Sequence, residues 1–403
     1  SGKDLTHFFN VTRSLGSCAF VARRLARHGA ELARFGRAMR LTNGNALVAR
    51  LAKSASDLGI PIWTSAPAQD LIVEDGTVTG ALVATQDGPV RVEARRGVVL
   101  AAGGFPQDRA RRAVLYPHRP GDTGHWSPAA PGNTGDGVRL GERAGGRLIE
   151  GLSNAAAWVP VSLVPRRDGS LHPFPHFIDR AKPGVIAVTR DGRRFTNEAN
   201  SYHDFVQAML RACEGRPEKE AWLIADHRTI RRYGLGHVKP FPLPLWPALR
   251  SGYLLRGRTL RDLAERAGIA SDLEGTVTTY NEAARRGEDP AFGRGSTAYN
   301  RYLGDPARTP NPCVAPIEHG PFYAVRVVPG DLGTFAGLVA DAHARVLDAD
   351  RSPIAGLYAV GNDMASIMGG NYPGGGITLG PAMTFGYIAG LHLAHAREPR
   401  DGR

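Results

Sequence analysis

The sequence predicts a mixed α/β protein: an α/β domain that carries an inserted β-meander and is itself interrupted by an α+β domain. Three observations predict it. A short apolar run, Val98-Val99-Leu100-Ala101-Ala102, ends in the pair Gly103-Gly104, the pattern of a buried parallel strand whose C-terminal end meets a ligand. From about Trp158 to Phe335 the texture changes, and prolines and aromatics become frequent, as in Lys239–Pro247. From Gly337 it returns to short apolar strands, a glycine-rich loop and a last helix. These changes place one domain over 1–160 and 336–403 and the inserted domain over 161–335, within a chain of 403 residues that is comfortable for two domains.

Taken in order, Phe20 to Met39 predicts an amphipathic helix with Val21, Leu25, Leu32 and Phe35 on or near one face. Asn45 is the expected cap of a second helix, Ala46–Leu58, ended by Gly59 and Pro61. Asp70–Val73, Val78–Thr85 and Val90–Ala94 then alternate or run apolar with β-branched residues, and Asp75-Gly76 and Asp87-Gly88 read as hairpin turns between them. Residues 128–146 give a glycine-rich loop leading into a short helix. Inside the inserted domain a helix, Thr259–Ala267, sits among long loops. Ala344–Leu347 and Gly356–Gly361 read as strands, and Thr378–Ala394 as the final helix.

Composition narrows the function classes. The net charge of +12 comes almost wholly from arginine, with only five lysines. The arginines are scattered and no basic run accompanies them, so a solvated arginine-rich surface is preferred to nucleic-acid binding. No apolar run is long enough to cross a bilayer. The opening Ser1-Gly2-Lys3-Asp4 carries no apolar segment of the kind that exports a protein. Cys18, Cys213 and Cys313 are far apart, which argues against zinc and disulfide frameworks and suits reduced, cytoplasmic thiols. Pro173 and Pro175 separate His172 from His176 and spoil a helical metal pair, so no metal is expected.

The chemistry concentrates in Gly361–Gly390, where a strand enters, a helix leaves, and Gly369, Gly370, Gly374, Gly375 and Gly376 lie between. Glycines at such a junction let backbone N–H groups approach an anion or a polar ring edge, and the helix N-terminus adds positive character. This segment resembles the C-terminal flavin motif of the fumarate reductase/succinate dehydrogenase flavoprotein superfamily, and within it is most similar to 3-ketosteroid dehydrogenases. Residues 98–105 (VVLAAGGF), 132–137 (GNTGDG) and 191–202 (DGRRFTNEANSY) resemble further motifs of that family, in the right order. The resemblance implies an FAD-binding Rossmann-like domain, partial in this chain, with a substrate-capping domain inserted in it. It assigns FAD to Ala102, Gly103, Gly104, Asn133, Thr134, Gly135, Asp136, Gly361, Asn362, Asp363, Gly375, Gly376, Ile377 and Thr378.

Three positions separate the subfamilies. Where fumarate reductases resemble one another in a proton-donating arginine, a carboxylate-binding arginine and a histidine, this chain has Tyr202, Tyr372 and a glycine near Gly333. A site without those cations offers little to a dianion. The resemblance therefore implies α,β-dehydrogenation of a bulky, neutral, 3-ketosteroid-like ketone, a hydrophobic small molecule: Tyr372 O–H and the Gly376 N–H bind its oxygen, Tyr202 removes the α-proton as a phenolate, and the hydride of the adjacent carbon passes to flavin N5. An ordinary tyrosine has a pKa of about 10, so neighbours are expected to lower that of Tyr202. His125, Trp126 and residues 239–247 are candidates to line the cavity, with loop packing preferred for His125. Arg193 and Arg194 are expected to pair with Glu198 or cap a turn. Tyr253, Tyr299, Tyr302 and Tyr323 are read as structural. Fumarate or enoate reduction, and a cofactor-free binding module, stand as the competing readings; the electron acceptor is not legible.

One part of the pattern is missing. No G-x-G-x-x-G follows a strand near the N-terminus, although this fingerprint opens dinucleotide-binding domains. The expectation is a chain that starts inside the FAD domain, holds an incomplete FAD site, lacks a further tyrosine supplied by the family's N-terminal region, binds FAD weakly or not at all, and is inactive alone.

Overall fold

A computed structural model describes residues 14–118 and 124–395, with Asp4, His7, Phe8, Asn10 and Val11; the opening Ser1–Lys3 lies outside the described residues. The chain forms two units, Ser1–Ala66 and Pro67–Arg403. In the first, α1 (Leu15–Phe35) starts five residues before the expected Phe20 because Ser14 caps it, its hydroxyl accepting from the Ser17 N–H at 3.3 Å. It stops at Gly36, left-handed at φ 67°, whose N–H returns to Leu32 O. Met39 therefore falls outside the helix. Val21 is buried, whereas Leu25, Leu32 and Phe35 are exposed within their unit. In α2 (Asn43–Asp57) the N-cap is Thr42, not Asn45, and it makes no side-chain cap bond.

The second unit opens with the expected meander: β1 (Ala68–Glu74), β2 (Thr77–Thr85) and β3 (Gly88–Glu93), all antiparallel. Asp75 and Gly76 both take positive φ, 47° and 76°, as a two-residue hairpin requires. The second loop differs from expectation. Thr85 lies opposite Gly88, so the turn is Gln86-Asp87 and Gly88 is already strand.

The apolar run forms β4 (Val98–Leu100), followed by α3 (Arg109–Leu115) and α4 (Asp136–Arg143). The next segment is the expected α+β domain, with a six-stranded sheet where its prolines suggest long loops. Its strands are β5 (Ala156–Pro165), β6 (Leu171–Pro175), β7 (Val185–Val188), β8 (Ala221–Asp226), β9 (Leu255–Gly257) and β10 (Phe322–Thr334). Between them lie α5 (Tyr202–Ala212), α6 (His227–Tyr233), α7 (Trp246–Arg250), α8 (Leu260–Ala267), α9 (Asp272–Ala284) and α10 (Ala298–Leu303). Helix α8 is the expected one, with Thr259 as its cap and left-handed Gly268 after it. β11 (Arg345–Leu347), β12 (Pro353–Ala359) and α11 (Leu379–His395) close the chain within two or three residues of their expected limits.

Two sheets result. In the first, β12 is the hub: parallel to β4, with Leu357, Tyr358 and Ala359 opposite Val98, Val99 and Leu100, parallel to β2 at Ala355–Thr77, and antiparallel to β11. The second runs β6-β5-β10-β8-β7, with β9 on β10. It is buried on both faces. Val185, Ala187, Leu223 and Ala225 join one core with Trp158, Phe205 and Met209; Ile186, Val188, Trp222 and Ile224 join another with Leu263, Leu273 and Val277. The C-terminal ends of β4, β10 and β12 lie close together, and the loops that follow them build the site.

Candidate active site

Four loops meet at the end of β4. Gly135 N–H donates to Gly104 O at 3.0 Å, and Gly104 N–H to Asp363 Oδ1 at 2.9 Å. Ala102 N–H donates to Asp363 Oδ2. Asp363 is fully buried; burial raises its pKa, and the two N–H groups oppose that rise. The glycines are required here. Gly104 has φ 75°, and a Cβ on it would lie 2.2 Å from Thr334 Oγ1 and 2.9 Å from Asn362 O; one on Gly103 would lie 2.8 Å from Asn133 Nδ2. Gly137, in the first turn of α4, would press a Cβ to 2.2 Å from Asp363 Oδ2. Gly137→Ala is thus expected to destabilise the protein by about 1–3 kcal/mol, seen as a lower urea midpoint at unchanged slope. Thr134 Oγ1 and Arg139 hold the Asp136 carboxylate at the start of α4.

The glycine-rich loop after β12 is different in kind. A Cβ built on Gly374, Gly375 or Gly376 meets nothing within 4 Å, so this backbone faces open space. Gly380 N–H donates to Gly376 O at 2.7 Å, which starts the first turn of α11 beside the open glycines. Ile377 packs inward with Phe335 and Tyr372. An open backbone at the N-terminus of a 17-residue helix suits the polar edge of a planar anionic ring.

The two tyrosines, 170 residues apart in sequence, meet here. Their hydroxyls share a hydrogen bond, and their rings lie edge to face with centroids 4.9 Å apart. Tyr202 begins α5, placed by Ser201, whose hydroxyl caps the helix at Asp204 N–H, 3.1 Å. Burial pushes its phenol well above the ordinary range, and the Tyr372 hydrogen bond adds to that rise. Burial raises Tyr372 too. The neighbours therefore do not lower the pKa of Tyr202, contrary to expectation. The charge that opposes the rise is Arg180. This guanidinium is fully buried and, among the described residues, donates only to main-chain carbonyls, including Glu198 O and, at 2.7 Å, Asn200 O. Burial pushes its own pKa down to about 10.

Of the two arginines expected to pair with Glu198 or cap a turn, Arg194 pairs with Glu198 and Arg193 pairs with Asp272 instead. Arg194 binds Glu198 through two bonds, 2.9 and 2.7 Å, and also binds Asp289. Arg193 reaches the exposed Asp272. Arg294, fully buried, completes the cluster at 3.1 Å from Glu198. Trp126, Tyr202 and Leu332 pack against one buried cluster of Val159, Val161 and Val328. His125 is tied down: its Nε2 lies 2.6 Å from Asp331, which also accepts from Tyr116 and Ser127. Residues 239–247 go elsewhere; Phe241 N–H donates to Arg231 O and its ring lies under the Arg231 guanidinium. His176, a rejected metal ligand, bonds Asp179 and Ser162.

The sequence reading missed four residues around the pair. Phe177 meets the Tyr202 ring edge-on at 5.2 Å. Tyr299, read as structural, lies close enough for its charge to raise the Tyr202 phenol. Arg180 and His203 carry no motif; adjacency to Tyr202 was the only signal for His203.

This geometry, a parallel strand ending in paired glycines and an open glycine face at a helix start, defines a flavin-binding class, and residues 5–379 match the FAD binding domain family. The chain belongs to that family, whose cofactor is FAD. It is 43% identical over 402 residues to 4-oxocyclohex-2-ene-1-carboxylate 5-dehydrogenase of Sinomonas cyclohexanicum, covering 99% of this chain and 68% of the relative. It is 39% identical over 363 residues to 3-oxosteroid 1-dehydrogenase of Mycobacterium tuberculosis, covering 87% of this chain and 63% of the relative. Among solved structures it is similar to 3-ketosteroid delta1-dehydrogenase from Sterolibacterium denitrificans, in complex with 1,4-androstadiene-3,17-dione. There the TM-score is 0.87 at 37% identity, over 97% of this chain and 70% of the other. The chain thus spans about two thirds of the length of each. The open glycine face and the β4 cradle fit the isoalloxazine end of FAD.

Proposed function

We propose that this chain belongs to an FAD-dependent dehydrogenase that removes two hydrogens from adjacent carbons beside the carbonyl of a cyclic ketone. The observation that carries the reading is the Tyr202–Tyr372 hydroxyl pair next to the open glycines. One phenol to donate to a ketone oxygen and a second to take the α-proton suit a neutral ketone, and they stand where a dicarboxylate site needs cations. The ring ketone common to the names of the relatives supports the same class.

In this reading Tyr372 O–H and Gly376 N–H hold the ketone oxygen and stabilise the enolate that forms as the α-carbon loses its proton. Tyr202 takes that proton, with Arg180 behind it as the favouring charge. Phe177 lies against the Tyr202 ring and shields it from water, and Trp126 packs on the same apolar cluster as Tyr202. Bound FAD supplies the hydride acceptor for the adjacent carbon. Cofactor contacts fall to Ala102–Gly104, Asn133–Asp136, Gly361–Asp363 and Gly375–Thr378, with Asp363 acting by holding the 102–104 backbone. In this reading 1–160 and 336–403, which hold the whole first sheet, carry the cofactor, and 161–335 covers the substrate. Three free cysteines and no described helix long and apolar enough to cross a membrane suit a cytoplasmic protein.

Two measurements test this. The purified, desalted chain is scanned for flavin absorbance before and after FAD is added; no binding at saturating FAD counts against the cofactor assignment. The FAD-loaded protein is then offered a 3-ketosteroid and 4-oxocyclohexanecarboxylate with an artificial electron acceptor, and fumarate with reduced viologen. Turnover of a ketone is expected. Turnover of fumarate alone would overturn the reading.

A further inference from the structure

We propose that His203 is a positioning residue that sets where the Tyr372 phenol stands, a role that rests on Tyr372 being the ketone-binding group. His203 follows Tyr202 in the first turn of α5 and is almost wholly buried. Its ring lies nearly parallel to that of Tyr372, 24° between planes with centroids 5.8 Å apart, and tilts against Phe335 at 5.9 Å. Its Nδ1 accepts the Trp158 main-chain N–H at 3.0 Å. That bond fixes the neutral tautomer with its proton on Nε2, and Nε2 is shielded without any hydrogen-bond partner among the described residues.

The orphaned Nε2–H decides the interpretation. A buried donor without an acceptor is costly, and phenylalanine would fill the same space without it. What histidine adds is the Nδ1 acceptor, which locks the ring to β5 and so fixes the face on which Tyr372 rests. Burial holds the imidazole pKa near 4, so Nδ1 keeps its lone pair across the neutral range. Tyr372 needs such a support. It sits between Gly369-Gly370 and Gly374–Gly376, and the last three glycines face open space. The loop is tied at its start: Trp158 Nε1–H donates to Asn154 Oδ1 at 2.7 Å, and Asn154 Nδ2–H to Gly370 O at 2.9 Å. One tryptophan thus anchors both the loop, through its indole, and His203, through its backbone. The Tyr372 ring is held between His203 and the hydroxyl of Tyr202.

The test places meta-fluorotyrosine at position 372 in the whole chain and follows it by fluorine NMR. His203→Asn keeps an acceptor near Nδ1 and removes the ring face; His203→Phe keeps the face and removes the acceptor. Both are expected to shift or broaden the 372 resonance and to move its phenol titration, His203→Asn more. With a ketone that the wild type turns over, kcat is expected to fall about tenfold in His203→Asn while KM changes little. An unchanged resonance and titration in both variants overturns the proposal. If the wild type turns over no ketone, the functional reading fails, and the fluorine measurement still decides whether His203 positions Tyr372.

Discussion

Replacing Glu198 by alanine is expected to destabilise the protein by about 3–5 kcal/mol, because it strands the buried Arg294 guanidinium and halves the carboxylate partners of Arg194. Glu198 is fully buried and shares its carboxylate between Arg194, Arg294 and the Ala187 N–H, the last at 3.0 Å. Arg194 keeps Asp289, but Arg294 is left with only main-chain carbonyls. Glu198→Gln keeps the shape and an oxygen for Ala187, so its loss should be smaller. The pH dependence separates charge from shape. Burial opposes ionisation of Glu198, yet Arg194 and Arg294 outweigh it and hold its pKa below the usual carboxylate range. A depressed folded pKa contributes stability that is complete above the unfolded value of about 4.3 and fades as pH falls through the folded one. The wild type should therefore exceed Glu198→Gln in urea midpoint at neutral pH, and the gap should narrow in acid. Equal midpoints at neutral pH would show that the cluster contributes nothing net.

What the sequence made legible follows from period and local chemistry. The meander was readable because Asp75-Gly76 suits a turn with two positive φ values and β2 alternates toward a covered face over Thr77–Gly80. β4 and β12 were readable as apolar runs ending in glycine. The second sheet was not, because β7 and β8 are covered on both sides: Val185 to Val188 and Ala221 to Ala225 lack alternation, and without it a short strand looks like any apolar stretch. The prolines of β6 read as loop, although this strand lies at the sheet's edge, where proline is tolerated. Within the site, glycine motifs and the two tyrosines were visible as residue types at motif spacings. Arg180 was invisible because its partners are carbonyls, which carry no residue identity, and His203 because its role depends on β5 lying against α5.

That limit bears directly on the tyrosine pair, whose meeting across 170 residues is a product of the fold. Tyr202→Phe and Tyr372→Phe are each expected to lower kcat on a ketone by roughly 10²–10³ fold, the usual scale for a general base or an enolate donor. The two losses should not add. Each variant breaks the same hydroxyl contact, so the double variant should lie well short of the product of the singles. A pH profile assigns the roles. A base works ionised, and burial holds both phenols above the ordinary tyrosine value of about 10. The wild-type rate should therefore climb steadily from neutral pH without a plateau below that value. Tyr202→Phe should flatten the climb, because it removes the group whose ionisation is being read. Tyr372→Phe should lower the rate throughout and keep the slope, because the donor is needed in its protonated form. If instead Tyr372→Phe flattens the profile and Tyr202→Phe keeps it, the base and donor assignments exchange places, while the ketone chemistry they serve stands.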